Sequence, residues 1–200
     1  MGIYLVIIAG AYLIGSVNSA ILLVRLLYRQ DVREKGSGNA GSTNVARTYG
    51  AGIGALTLLC DILKAALAGF LGRSLAGQCG YMIGGLFCLI GHCWPLYFRF
   101  KGGKGMAVAA GTLLFINWKL FILMVVIFAF TFLLWRRVSL STILSVLAFP
   151  PIYYLTTRSL DPVFVIGTVM CALVVIRHRE NIRRLIAGTE PRFQFHRRNR

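Results

Sequence analysis

Acidic residues are nearly absent. The 200-residue chain carries six Asp and Glu against 22 Lys and Arg, and three His. So few scattered carboxylates form no D-x-x-D or similar cluster, which disfavours metal-dependent phosphotransfer; neither a metal nor a cofactor is expected. No histidine is followed by aspartate at H-x4-D spacing, since Tyr97 and Arg183 come five residues after His92 and His178, and His196 is followed by only four residues, none of them acidic. A G-x-S-x-G nucleophile elbow is also missing. The five cysteines, Cys60, Cys79, Cys88, Cys93 and Cys171, show no C-x-x-C spacing and read as small apolar packing residues. No internal repeat is visible.

What is abundant is apolar. Hydrophobic residues make up 57% of the chain and mean hydropathy is +0.71, against about 45–50% apolar in soluble domains. These values predict a single membrane domain over residues 1–200. A net charge of +16 asks for an anionic partner. Nucleic acid would need a soluble basic face, whereas these basic residues punctuate long uncharged runs. The lipid bilayer and phosphorylated metabolites fit that pattern better, and no obligate protein partner is implied.

The gaps between charges outline the spans. Residues 1–24 are uncharged with no basic segment before them, so a first transmembrane helix is expected rather than a cleaved signal peptide. A second span is expected from about Val45 to Gly72, interrupted by Asp61 and Lys64, and a third between Arg73 and Arg99. The uncharged runs Gly105–Trp118 and Leu120–Trp135 hold only 14 and 16 residues, which predicts a short hairpin with Lys119 at its tip. A span broken at Pro150-Pro151 and a last one over Pro162–Ile176 follow, then a basic tail, 177–200, that continues the last helix.

The expected fold is therefore an all-α polytopic helical bundle of about seven transmembrane helices, or five if the short hairpin is only re-entrant. Eighteen Lys and Arg fall on one side and three, Arg73, Lys119 and Arg158, on the other. That split predicts the N-terminus outside and the C-terminus in the cytoplasm.

Two loops on the basic side carry the same recipe. In the first, about residues 28–48, Gly36, Gly38 and Gly41 let backbone amides converge, Ser42 or Thr43 is placed to cap the next helix, and Arg47 follows. A helix start with hydroxyls and a cation is an anion site suited to phosphate; a flexible Gly/Ser loop with a simple cap is the plainer reading. The formal G-x-G-x-x-G match is spurious, because no strand precedes it. The second loop, 99–105, reads Arg99-Phe100-Lys101-Gly102-Gly103-Lys104-Gly105 and is not a Walker A sequence. Arg99 and Lys101 read as flanks reaching lipid head groups, and Lys104 as either such a flank or a phosphate ligand. His178 and Asn181 share a helix face in the tail. Asp61 and Lys64 are expected to neutralise each other inside their span, and His92 to hydrogen-bond across a broken helix.

Taken in order, Ser37-Gly38-Asn39-Ala40-Gly41-Ser42-Thr43-Asn44-Val45-Ala46-Arg47, Gly91-His92 through Lys101-Gly102-Gly103-Lys104-Gly105, and His178-Arg179-Glu180-Asn181-Ile182 resemble the motifs of the bacterial acyl-phosphate:glycerol-3-phosphate acyltransferases of the PlsY type. The resemblance covers essentially the whole chain. It implies a multi-pass enzyme of the bacterial cell (inner) membrane with its site on the cytoplasmic side. The implied reaction moves a fatty acyl group from acyl phosphate to the 1-hydroxyl of glycerol 3-phosphate, giving lysophosphatidic acid for phospholipid biosynthesis. It further implies catalytic roles for Ser37, Arg47, Lys104, His178 and Asn181, substrate contacts from Gly38, Asn39, Gly41, Ser42, Thr43, Asn44, Gly102, Gly103 and Gly105, and a structural role for Glu180. A membrane carrier for phosphate or organophosphate is the alternative that explains the basic loops almost as well.

Overall fold

The computed structural model describes residues 2–194. His196, Arg197, Arg198 and Arg200, counted above with the tail, lie outside the described residues. Among those described there is no strand; nine helices follow one another, α1 (Gly2–Ser16), α2 (Ser19–Tyr28), α3 (Ser42–Tyr49), α4 (Ala51–Cys93), α5 (Met106–Ile116), α6 (Trp118–Trp135), α7 (Val138–Thr157), α8 (Pro162–Arg177) and α9 (Arg179–Ile186).

The first apolar run is not one straight rod. It breaks between Ser16 and Ser19, where Asn18 caps α2 by accepting from the Ile21 amide over 3.0 Å. The broken end leaves carbonyls without helical partners, and the Lys64 ammonium takes two of them, Val17 O at 2.9 Å and Gly15 O at 3.3 Å. Lys64 also pairs with Asp61 (2.9 Å) and approaches His92 Nδ1 (2.9 Å), while Ser19 Oγ donates to Asp61 over 3.0 Å. The expected Asp61–Lys64 neutralisation is present, and it doubles as the fastening of a bent span.

The second and third expected spans are the two arms of α4, which folds back at Ala76 and Gly77, the latter at φ 59°. Glycines let the arms touch. A Cβ on Gly72 would stand 2.1 Å from the Gly80 carbonyl oxygen, and one on Gly84 2.4 Å from that of Ala68, the close backbone approach that small residues permit in membranes. Gly15 and Gly91 bring α1 onto the second arm in the same way. One boundary differs from expectation: residues 45–49 belong to α3, which a turn at Gly50 (φ 102°) separates from α4.

The short hairpin appears as α5 and α6 joined at Asn117, whose side chain caps α6 at Leu120. With 11 residues, α5 rises only ~16 Å, about half the hydrocarbon thickness. Residues 102–105 lead into it by folding back against the end of α4. Two expectations need correcting. The Pro150-Pro151 pair does not break α7, which runs unbroken through both, as membrane helices tolerate when neighbours surround them. The tail does not continue α8; at His178 the axis turns by 58° into α9.

Among the described residues four helices are long and apolar enough to cross a membrane, five with α8 and α9 taken as one bent unit, and α4, counted once among them, is folded on itself. Exposed Leu133, Phe130 and Val126 on α6 make a surface suited to lipid rather than water. Helices α4, α5, α6, α7 and α8 pack in sequence, and α8 returns to α4. That ring encloses a space opening at the end where α3, α9 and both glycine loops meet.

Candidate functional site

The first loop is held by one buried side chain. Asn44 accepts the Ser37 amide at Oδ1 (2.9 Å) and donates through Nδ2 to the carbonyls of Val32 and Lys35, both at 3.0 Å. Asn44, expected as a substrate contact, has its whole amide engaged in shaping the loop and also lines the cavity below it. Gly36 and Gly38 sit at φ 61° and 68°, where a side chain would strain the turn. Ser42 and Thr43 do not cap α3. Gly41 occupies the cap position and offers no side chain, so the amides and hydroxyls at the start of α3 face the cavity. Ser37, Asn39, Gly41, Ser42, Thr43 and Arg47 line that cavity.

The second loop uses its glycines differently from expectation. The amides of Gly102 and Gly103 donate to the carbonyls of Cys93 (3.3 Å) and His92 (3.1 Å), closing the end of α4. A Cβ on Gly102 would lie 2.0 Å from His92 O, and one on Gly103 2.2 Å from His92 Nε2. The amides of both glycines are thus engaged in closing the helix, while Gly102 also lines the smaller polar pocket beside Lys104. What they deliver is Lys104, with Gly105 opening α5 at φ 85°. Arg177 secures the turn from outside, its guanidinium donating to Gly103 O at 3.1 and 3.3 Å while lying 5.1 Å from the Trp94 ring centroid.

Lys104 donates to Asn181 Oδ1. The Asn181 Nδ2 group donates onward to Glu190 Oε1 (2.7 Å), which also accepts from Ser139 Oγ (2.5 Å), while Arg184 Nε donates to Glu190 Oε2 (2.7 Å). Burial pulls the Lys104 pKa down to about 8, against the opposing pull of Glu190. Burial raises that of Glu190, but hydrogen bonds from Ser139, Asn181 and Arg184 outweigh it and hold the carboxylate below its usual value. His178, just past the end of α8, directs Nδ1 to Val174 O (2.7 Å). Burial first, then the nearby Lys104 charge, lowers it to about 4. It is therefore neutral at pH 7, with Nδ1 carrying the proton and Nε2 left as an acceptor.

Glu180, for which the family resemblance implies a structural role, is exposed and takes no hydrogen bond among the described residues. The structural carboxylate is Glu190, 7% exposed and three times bonded. Sequence reasoning missed it, together with Ser139 and Arg184; its one signal was an acidic residue in a basic tail that otherwise holds only Glu180. Residues just beyond it return to the first loop, for the Phe193 amide donates to Arg136 O over 2.7 Å and the Arg47 guanidinium lies 5.8 Å from the Phe193 ring centroid.

Two connected spaces result. One of about 730 Å³ has Ser37, Arg47, Lys104, His178, Asn181 and Glu190 at its rim and an apolar interior reaching Met124, Val146, Phe149 and Met170. A second, about 180 Å³, is polar; it shares Ser37, Asn39, Lys104, Asn181 and Arg184 with the first and adds Arg177 and Arg179. Both glycine loops thus meet at one rim. No three His, Cys, Asp or Glu side chains converge there or elsewhere among the described residues.

The model of a family described as glycerol-3-phosphate acyltransferase matches residues 5–188. The chain belongs to that family. It is 38% identical over 194 residues to the glycerol-3-phosphate acyltransferase of Syntrophotalea carbinolica, covering 96% of this chain and 98% of the relative. It is 41% identical to that of Syntrophomonas wolfei, covering 90% and 92%. Among solved structures, the glycerol 3-phosphate form of PlsY (YgiH), an integral membrane glycerol 3-phosphate acyltransferase, superposes with a TM-score of 0.89 at 33% identity, covering 96% of each chain. Its lysophosphatidic acid form gives 0.87 at 32% identity, covering 96% of this chain and 95% of that one. Membership in this family of membrane enzymes accounts for an apolar chamber and a polar chamber behind one charged rim.

Proposed function

We propose that this membrane enzyme transfers a fatty acyl group from acyl phosphate to the 1-hydroxyl of glycerol 3-phosphate, releasing lysophosphatidic acid and phosphate. The observation that carries this reading is the sharing of Lys104 and Ser37 between an apolar chamber and a cationic one. A donor with a long chain and a phosphate head matches the first. A small polyol phosphate matches the second, where Arg177, Arg179 and Arg184 gather. The basic side of the membrane is the cytoplasm, by the excess of Lys and Arg there, and the membrane is the bacterial inner one.

Two phosphates repel, and fixed cations with the α3 amides reduce that repulsion in a preorganised way. The substrate hydroxyl oxygen attacks the acyl carbonyl carbon, the carbon–oxygen bond to phosphate breaks, and phosphate departs. Because acyl phosphate is already an activated anhydride, positioning supplies much of the rate and no acyl-enzyme is needed. Ser37 holds a substrate oxygen, and Arg47 and Lys104 clamp phosphate. The hydroxyl proton goes to the departing phosphate, whose oxygen gains negative charge as its bond to the acyl carbon breaks, whereas burial lowers the proton affinity of His178. His178 then serves as a neutral hydrogen-bond partner.

The test is transfer to labelled glycerol 3-phosphate by purified protein, with acyl phosphate, acyl-CoA and acyl-carrier protein compared as donors. Turnover of acyl phosphate supports the assignment, and turnover of a thioester alone defeats it. A carrier fits less well, since carriers bind cargo near the midplane and the deep charges here, Asp61 and Lys64, are bound to each other and to the α1 break.

A further inference from the structure

Near the floor of the apolar chamber, which Val163 of α8 and Phe121 of α6 also line, stands a matched pair. Phe149 is the deepest α7 residue lining it, 5% exposed, and its ring lies where a side chain on Gly167 of α8 would be; a Cβ there would stand 2.6 Å from the Phe149 ring. Behind Phe149 sits the Tyr153 ring, 5.6 Å away between centroids, and its hydroxyl is fixed by a 2.8 Å hydrogen bond to Asp161, which also caps α8 at Val163 and Phe164. The floor thus rests on a polar fastening at the far end of the bundle.

Its depth is set by the helix. Ser139, at the rim on Glu190, and Phe149 lie ten residues apart on unbroken α7, or ~15 Å. That is about half of the ~30 Å hydrocarbon core, the depth of one lipid leaflet. We propose that Phe149, seated on Gly167 and braced by Tyr153, is the stop that sets the acyl chain length this enzyme accepts. The inference rests on reading the chamber as the acyl site. A chain too long for the stop leaves methylenes outside the apolar space, and each lowers relative kcat/KM about fourfold.

Wild type, Phe149→Leu and Gly167→Ala are compared on dodecanoyl, palmitoyl and stearoyl phosphate, with the same acyl groups as CoA thioesters beside them and melting temperature as a check on folding. Phe149→Leu lowers the floor and shifts the preference toward stearoyl by tenfold or more. Gly167→Ala drives the ring into the chamber and shifts it toward dodecanoyl by a similar factor. In both, KM for glycerol 3-phosphate stays at the wild-type value. Folded variants whose relative kcat/KM along the series matches wild type overturn the proposal. Should only thioesters turn over, the acyl phosphate assignment falls and the chain-length comparison is read from the thioesters.

Discussion

Asn181 stands between Lys104 and Glu190, accepting from the ammonium with its oxygen and donating to the carboxylate with its nitrogen across 2.7 Å. One neutral amide thus aims a cation at the rim while keeping it apart from the anion that would neutralise it. Asn181→Ala should lower kcat/KM for glycerol 3-phosphate by ~10–100-fold, the value of a hydrogen bond to a charged group. Asn181→Asp, which would pair Lys104 with a fixed carboxylate, should lower it further. Steady-state kinetics on both variants check the order.

Glu190 holds three donors, Ser139 from α7 and Asn181 and Arg184 from α9. Glu190→Ala takes the acceptor from the buried Ser139 hydroxyl and Asn181 Nδ2 group and should cost ~1–3 kcal/mol, read as a lower melting temperature in detergent. Glu180→Ala should leave melting unchanged.

Lys104 gives the pH response. In the proposed mechanism its ammonium form clamps phosphate, so kcat/KM should fall as pH rises through about 8. Lys104→Met should lose that basic limb and raise the KM for glycerol 3-phosphate. Stability runs the other way. The folded pKa lies below that of the unfolded chain, so the unfolded state binds more protons between about 8 and ~10.4, and stability contributed at this residue rises with pH across that window. Melting curves from pH 7 to 10, compared between wild type and Lys104→Met, isolate the difference.

Asp61 and Lys64 form a buried pair with Ser19 and His92 around it. Lys64→Met leaves Asp61 unpaired and should cost ~3–5 kcal/mol, whereas Asp61→Leu with Lys64→Met should cost less than the two single changes added together. Detergent melting of the singles and the double makes the cycle.

Gly103→Ala should lower turnover by ~100-fold, because the added carbon meets His92 Nε2 at 2.2 Å and the loop carrying Lys104 must move by about an ångström. Substrate saturation curves that match wild type would remove the packing role given to Gly103.

Charge spacing alone located most of the architecture. The α4 fold-back, the Asn117 hairpin and the common rim of both loops follow from where Arg73, Lys119 and the glycines fall. What spacing could not give was direction. Gly102 and Gly103 look like a phosphate loop in sequence because the same amides that cradle an anion can close a helix, and only the position of His92 and Cys93 decides between them. Glu190 escaped because its three partners lie on other elements. Pro150-Pro151 misled because proline's missing N–H matters less when neighbouring helices enclose the ladder.

The bent first span has a consequence for biogenesis. Hydrocarbon does not tolerate bare carbonyls, and those of Gly15 and Val17 are answered by an ammonium that reaches the bilayer only with α4. The elbow of the N-terminal segment therefore depends on α4, and with it the placing of the loop that bears Ser37 and Arg47.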